Sequence, residues 1–313
     1  MAMLVQRSFF GVDVAKDELV IFDARNDVLV AIPNTNKDIK RWLKAMPAKS
    51  AIAIEATNVY HQSFTELAHA KGADLYMVGG FELSHYRKGV NVRAKTDAQD
   101  ARLLARYLSR EIDQLKPWSP PPAVYSHLLS LFRRRAALVQ ARTGLVQSWS
   151  NEPLLKAAFA EQIRSMQRLE ALVESKIRTL IEQAGLLVQL KRCMKVEGVG
   201  LLTAARLLAS FQRGKFRNAD AFIAFLGMDL RVAQSGKRQG KRCLTKRGDA
   251  EARRLLYNAA MSASRTKAWK TYYEGLKARG MHTTQALVCL ARKLARVVFA
   301  LMKNQGEYVS KAA

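Results

Sequence analysis

Asn91 to Leu108 reads NVRAKTDAQDARLLARYL, and the reading of the first third of the chain turns on this stretch. From Thr96 onward Ala101, Leu104, Ala105 and Leu108 recur at helical spacing. That spacing predicts a helix, with Thr96 as its N-cap. Asp97 and Asp100 stand three apart, so both carboxylates share one face of it. Two such groups repel unless something positive sits between them. Taken alone, the pair also reads as a solvated first turn, where the helix dipole favours aspartate.

The residues upstream decide between these readings. Ser8 to Val14 (SFFGVDV) is an apolar run with a single carboxylate, Asp13. Leu19 to Ala24 and Val28 to Ile32 are β-rich, and Asn26-Asp27 supplies the turn between them, giving a three-stranded antiparallel start. A short helix over Lys37 to Leu43 comes next, then a buried strand over Ala51 to Ile54, closed by Glu55. A helix over Asn58 to Lys71 and a fifth strand over Leu75 to Val78 complete the order βββαβαβα. The expected fold is α/β, a mixed sheet flanked by helices. A carboxylate in an apolar strand is costly to bury unless it is paired or ligates a metal. Asp13, Glu55, Asp97 and Asp100 therefore make four acids directed at one place. Hard oxygen ligands of this kind suit Mg²⁺ or Mn²⁺. Two such ions a few Å apart serve the attacking and leaving oxygens on phosphorus.

Downstream, Lys116 to Pro122 (KPWSPPP) holds four prolines in seven residues and reads as an extended linker. Phe159, Ile163, Met166, Val173, Ile177, Leu180, Ala184 and Leu187 then follow alternating spacings of 4 and 3, with Glu170 breaking the seam. This is a heptad-like stripe, either a coiled-coil arm for self-association or one helix of an antiparallel bundle. Arg133-Arg134-Arg135 is a solvated face or a phosphate contact. Val196 to Gly200 (VEGVG) fits a helix–hairpin–helix, whose glycines let backbone N–H groups approach a phosphate, or a plain helix connection. Phe216 to Leu226 is a further short helix, and Gln285 to Met302 is a strongly apolar one that belongs in the core. Between them, residues 231–247 carry seven Lys/Arg and no acid, with Gly236 and Gly240. A basic loop is expected there, with Lys237, Arg238, Lys241, Arg242, Lys246 and Arg247 as nucleic-acid contacts. Three segments follow, 1–122, 123–190 and 191–313.

Composition bounds the function. The 313 residues carry a formal net charge of +26. Residues 1–110 hold 16 Lys/Arg against 12 Asp/Glu, and the remainder holds 36 against 14. A polyanion is the expected partner, with nucleic acid ahead of an anionic membrane. No run is apolar enough to span a bilayer, and the N-terminus reaches acidic residues too soon for a signal peptide. Cys193, Cys243 and Cys289 are scattered, as in a cytoplasmic protein with reduced thiols. The five histidines show no ligand spacing.

The strand order and the set Asp13, Glu55, Asp97 and Asp100 resemble the RNase H-like, RuvC-type nuclease fold with its DEDD tetrad. GVDVAK at 11–16, IEAT at 54–57 and KTDAQDARLLA at 95–105 resemble motifs of the IS110/IS1111 family of transposases, whose relatives include pilin-inverting DNA invertases. The third string is the most specific. LGMDLRVAQSG at 226–236, LTKRG at 244–248 and RRLLYNAA at 253–260 are similar to the C-terminal transposase domain of the same family. This resemblance covers nearly the whole chain. It implies that Ser235 is a nucleophile forming a phosphoserine link to DNA, although a serine before glycine is usually a turn residue. It implies that the four acids hold the metal, and that the site is shared between protomers of a tetramer, a dimer of dimers. It also implies a structured noncoding RNA that guides the choice of donor and target DNA, in a nucleoid-associated protein. Two other readings stay open: a metal-only nuclease of the junction-resolving type, and a nucleic-acid-binding protein without catalysis.

Overall fold

Alternation along the central strands sets the layers of the first unit. In Ser8–Val14 (β1), Phe10, Val12 and Val14 point to one face of the sheet and Phe9, Gly11 and Asp13 to the other. In Ser50–Glu55 (β4), Ile52 and Ile54 share the first face, while Ala51, Ala53 and Glu55 share the second. The computed structural model describes residues 7–56, 59–149, 151–232, 234–235, 238–240 and 242–310; of 238–239 it describes the backbone. It divides into two compact units, Met1–Pro120 and Pro121–Ala313.

The first unit is a five-stranded sheet of order β3-β2-β1-β4-β5, completed by Glu18–Asp23 (β2), Val28–Pro33 (β3) and Asp74–Val78 (β5). β3, β2 and β1 are antiparallel, as expected, and β1, β4 and β5 are parallel. Helices Asn36–Ala45 (α1) and Gln62–Ala70 (α2) cover the first face, where Ile39, Leu43, Phe64 and Ala68 pack on Phe10, Val12, Ile52 and Ile54. α2 starts later than expected; residue 58 of the predicted helix lies outside the described ones.

The second face is covered by Gly80–Gly89 (α3) and Asp97–Glu111 (α4), through Leu83, Leu103, Leu104 and Leu108 on Ala51, Ala53, Tyr76 and Val78. Thr96 caps α4 as predicted, its Oγ1 accepting from the Gln99 N–H at 3.3 Å. The sequence pattern missed α3, because GFELSHYRKG buries only Leu83 and has no apolar stripe. α4 meets β1 backbone to backbone at Gly11. A Cβ there would collide with the Ala101 carbonyl and lie 2.6 Å from the Ala105 nitrogen. The proline stretch is not free of the unit it leaves. The Trp118 N–H donates to the Leu75 carbonyl at 2.6 Å, and the Trp118 ring stands edge-on to His69.

The second unit is mainly helical. Ala123–Trp149 (α5) and Lys156–Gln183 (α6) form an antiparallel hairpin, tied by Arg135–Glu174, Arg142–Glu170 and the Trp149–Phe159 contact. The seam-breaking Glu170 is thus buried and paired across the hairpin, with Arg142 Nε at 2.6 Å. Val173, Ile177 and Ile181 enter the same core as Leu190, Cys193 and Leu207, so packing is continuous through the expected boundary at 190. Leu187–Met194 (α7), Leu201–Gln212 (α8), Ala219–Phe225 (α9), Ala250–Ala263 (α10), Lys267–Ala278 (α11) and Thr283–Asn304 (α12) build the rest. α8 is buried from Thr203 to Ser210, and α12 contributes Leu290, Leu294, Val298 and Phe299 to the core, as its sequence predicts. Among the described residues no helix is long and apolar enough to cross a membrane.

Two expected features meet the structure here. The turn between α7 and α8 has the predicted glycine at positive φ, Gly198 at +85°. A Cβ on it would lie 2.5 Å from the Ala259 carbonyl oxygen. Gly198 is therefore required for packing against α10. The basic stretch is not an open loop, because Leu230–Arg231 (β6) pairs with Cys243–Leu244 (β9), and Gln234–Ser235 (β7) pairs with Arg238–Gln239 (β8). Cys193, Cys243 and Cys289 form no disulfide.

Candidate active site

The alternation that builds the sheet also assembles the acids. Asp13 and Glu55 lie one step beyond the Val12–Ile54 pair on two adjacent parallel strands, both on the α4 face. The first turn of α4 then brings Asp100 over the same strand ends. One carboxylate oxygen from each of Asp13, Glu55 and Asp100 lies within 4.8 Å of the other two. Asp100 is 5% exposed.

Burial and neighbouring acids raise the proton affinity of two of the three. Asp13 is pushed up from 3.8 to about 6, first by burial and then by Asp97, Asp100 and Glu55. Glu55 is also raised, by burial and then Asp100, with Lys95 and Arg87 pulling the other way. Such a donor set fits a divalent cation: hard oxygens only, clustered, with more negative charge than the local cations cancel. Asp97 differs from its expected place. It is exposed at the start of α4 and stands outside the group of three, yet near enough to act on Asp13. One helical turn separates it from Asp100, which is enough to take it from the sheet to the rim.

Sequence reasoning missed Arg87. It lies on α3 and forms an ion pair with Asp100, its side chain 15% exposed. α3 also starts against Glu55, since a Cβ on Gly80 would lie 2.6 Å from Glu55 Oε1. The positive end of that helix thus faces a carboxylate. The available signal was Glu82, three residues after Gly79, whose Oε2 accepts from the Gly79 N–H at 2.9 Å.

Ser235 is exposed on β7, directly opposite Arg238 across the hairpin. Its predicted neighbours Lys237 and Lys241, and the Arg238 side chain, lie outside the described residues, as does Gly236. Arg242, Lys246 and Arg247 are exposed. The base of this hairpin is fixed where Gly227 and Gly248 meet: a Cβ on Gly248 would lie 2.6 Å from the Gly227 nitrogen. Thr245 and Asp229 close it, through Thr245 N–H to the Asp229 carbonyl at 2.9 Å and a hydroxyl–carboxylate bond.

Residues 10–159 match the model of the DEDD transposases of IS110 type, and residues 190–274 match that of the transposase IS116/IS110/IS902 family. The pilin gene-inverting protein of Moraxella bovis is 24% identical over 323 residues, covering 96% of this chain and 97% of that protein. A probable family 20 transposase of Pseudomonas aeruginosa is 26% identical over 341 residues, covering 96% of this chain and 98% of that protein. The transposase for insertion sequence element IS1111A of Coxiella burnetii is 32% identical over 125 residues, 38% of this chain and 34% of its own. Two family models in the right order and relatives aligned end to end leave one conclusion: this chain belongs to the IS110 family of transposases, DNA transposase/recombinase enzymes.

Proposed function

We propose that the protein cuts and rejoins DNA through Ser235, assisted by a divalent cation, Mg²⁺ or Mn²⁺, at Asp13, Glu55 and Asp100. The observation that carries the metal half is the convergence of three carboxylates with Asp13 raised to about 6. The strand order 3-2-1-4-5, with β2 antiparallel to β1, supports an RNase H-like, RuvC-type reading of the first unit. Asp97 completes the tetrad from the rim, beside the other three. Bound there, the cation supplies charge stabilisation at a phosphodiester in transit.

Ser235 supplies the nucleophile. Its Oγ bonds to phosphorus while the bond from phosphorus to a deoxyribose oxygen breaks, leaving a phosphoserine and one free strand end. Attack by a second strand's hydroxyl on that phosphorus releases the serine and joins the new pair. A serine hydroxyl is a poor nucleophile at neutral pH and needs activation. The acidic cluster of its own chain or of a second copy is the source, within a tetramer built as a dimer of dimers. Leu169 and Leu172, exposed on α6 outside its stripe, are available for that assembly. The exposed cations Arg242, Lys246 and Arg247, with Lys237, Arg238 and Lys241, hold the DNA backbone beside the serine. A structured noncoding RNA selects donor and target in a cytoplasmic, nucleoid-associated complex, as the family resemblance implies.

The test is a trapped covalent protein–DNA adduct. Wild type forms one in the presence of Mg²⁺, and Ser235→Ala does not. Strand cleavage that persists without an adduct in Ser235→Ala would instead support the metal-only nuclease. RNA recovered with the purified protein and sequenced as one discrete species supports the guide, whereas random fragments oppose it.

A further inference from the structure

The second unit contains a cavity of about 660 Å³ that the recombination chemistry does not use. It opens between α5 and the turn that leads into α10. Its size falls within the roughly 300–1,000 Å³ range of small-molecule sites. Three aromatic rings line it, Tyr125, Phe132 and Phe225. Arg206 also lines it, and its guanidinium lies 5.3 Å from the centre of the Phe132 ring. Arg206 is 2% exposed and forms an ion pair with Asp249, the N-cap of α10. That pair uses one end of the guanidinium. The Nε and Nη1 groups of Arg206 are buried with no acceptor. Burial lowers Arg206 to about 10, so it stays a cation at neutral pH.

Two buried N–H donors without an acceptor are expensive to leave so. What would satisfy them follows from the charge around the cavity. Its walls hold Arg133 and Arg206 against Asp249 and Glu251, so the formal charges cancel. Two of the first backbone N–H groups of α10, those of Glu251 and Ala252, are already taken by Asp249 Oδ1. A bare phosphate therefore meets no net formal charge and a helix end whose donors are already partly used. A flat, neutral group with acceptors on one edge and two π faces meets what the cavity offers.

We propose that this cavity receives one unpaired nucleobase of a nucleic-acid strand, its faces against the aromatic rings and its edge acceptors on Arg206. Arg133, exposed at the mouth, is placed to meet the phosphate beside that base. Stacking of this type is tolerant of sequence. Adjacent acceptors, such as guanine O6 and N7, suit a bidentate arginine. The Arg206 donors are shielded from water, so the base reaches them after a small side-chain shift at the cavity floor.

The experiment uses the full chain and short oligonucleotides that carry 2-aminopurine at one position in turn. One arm is single-stranded DNA, a second is single-stranded RNA, and the third is the matching DNA duplex. The expected result is a position-dependent change in 2-aminopurine emission in a single-stranded arm and none in the duplex. The arm that responds identifies the strand. Ala136→Phe fills the cavity from the α5 wall and leaves the Arg206–Asp249 pair in place. It should remove the emission change and weaken binding of the responsive strand by about tenfold or more. Circular dichroism checks that the variant is folded, and Gln140→Trp, at the exposed rim, replaces it if it is not. No emission change in either single-stranded arm at saturating protein overturns the proposal. So does wild-type behaviour in the folded cavity-filling variant.

Discussion

Asp13 shows how a side chain can lower stability in order to serve chemistry. Its ordinary value is 3.8 and in the metal-free fold it is about 6. Between those values the folded chain holds the proton more tightly than the unfolded chain. The contribution of Asp13 to stability is therefore best below about pH 4, falls as the pH rises to 6, and stays at its lowest above that. Asp13→Asn should raise the melting temperature of the metal-free protein at pH 7.5, by the equivalent of about 2 kcal/mol after solvent screening, while abolishing strand cleavage. Melts in EDTA from pH 4 to 8 check the sign. Adding Mg²⁺ at pH 7.5 should raise the wild-type melting temperature and leave Asp13→Asn nearly unmoved. Asp13 and Glu55 could be named from sequence because carboxylates in apolar strands demand a reason, and Asp100 because it shares a helix face with Asp97. Arg87 could not, since a lone arginine on a polar stretch looks like any solvated cation.

At the scale of elements, β1, β4 and α4 act as one piece. Gly11→Ala would drive a methyl group into the α4 backbone at Ala101 and Ala105. Neither backbone can yield cheaply, so a loss of about 3 kcal/mol or more is expected, measured by urea unfolding. The α5–α6 hairpin makes a different prediction. Arg142→Ala strands the buried Glu170 carboxylate and should cost about 3 kcal/mol, whereas Arg142→Leu combined with Glu170→Leu should recover most of that loss. Chemical denaturation of the three proteins decides it. These two elements also mark where sequence reading succeeds and where it stops. The strands of the first unit and α4 were legible to within a residue or two, because alternation and helical spacing are local signals. The partner of the α6 stripe was not, since a heptad fits a neighbour in its own chain as well as one in another. Likewise Gly198 announces a positive φ but not the α10 backbone it must clear.

Across the whole molecule the charge is lopsided, with most of the +26 beyond residue 110. Affinity for DNA should fall steeply with salt. The variant Arg242→Ala, Lys246→Ala, Arg247→Ala should lower the slope of log K against log salt by about 2–3, as three lost phosphate contacts require. An unchanged slope in filter-binding titrations would remove this hairpin from the interface. The positions of these cations were legible, because a run of seven without an acid needs no fold to be noticed. The paired strands that present them were not, as two-residue ladders leave no periodicity to read.

The meeting of Gly11 with α4 has a thermal consequence. A joint made of main chain has no rotamers to thaw, so Asp13 and Asp100 are carried on one body up to the global transition. Amide hydrogens of Val12 and Ala105 should then exchange only by complete unfolding, with the same opening energy as the slowest sites in the first unit. Warming would leave the carboxylates gathered until everything around them dissolves at once.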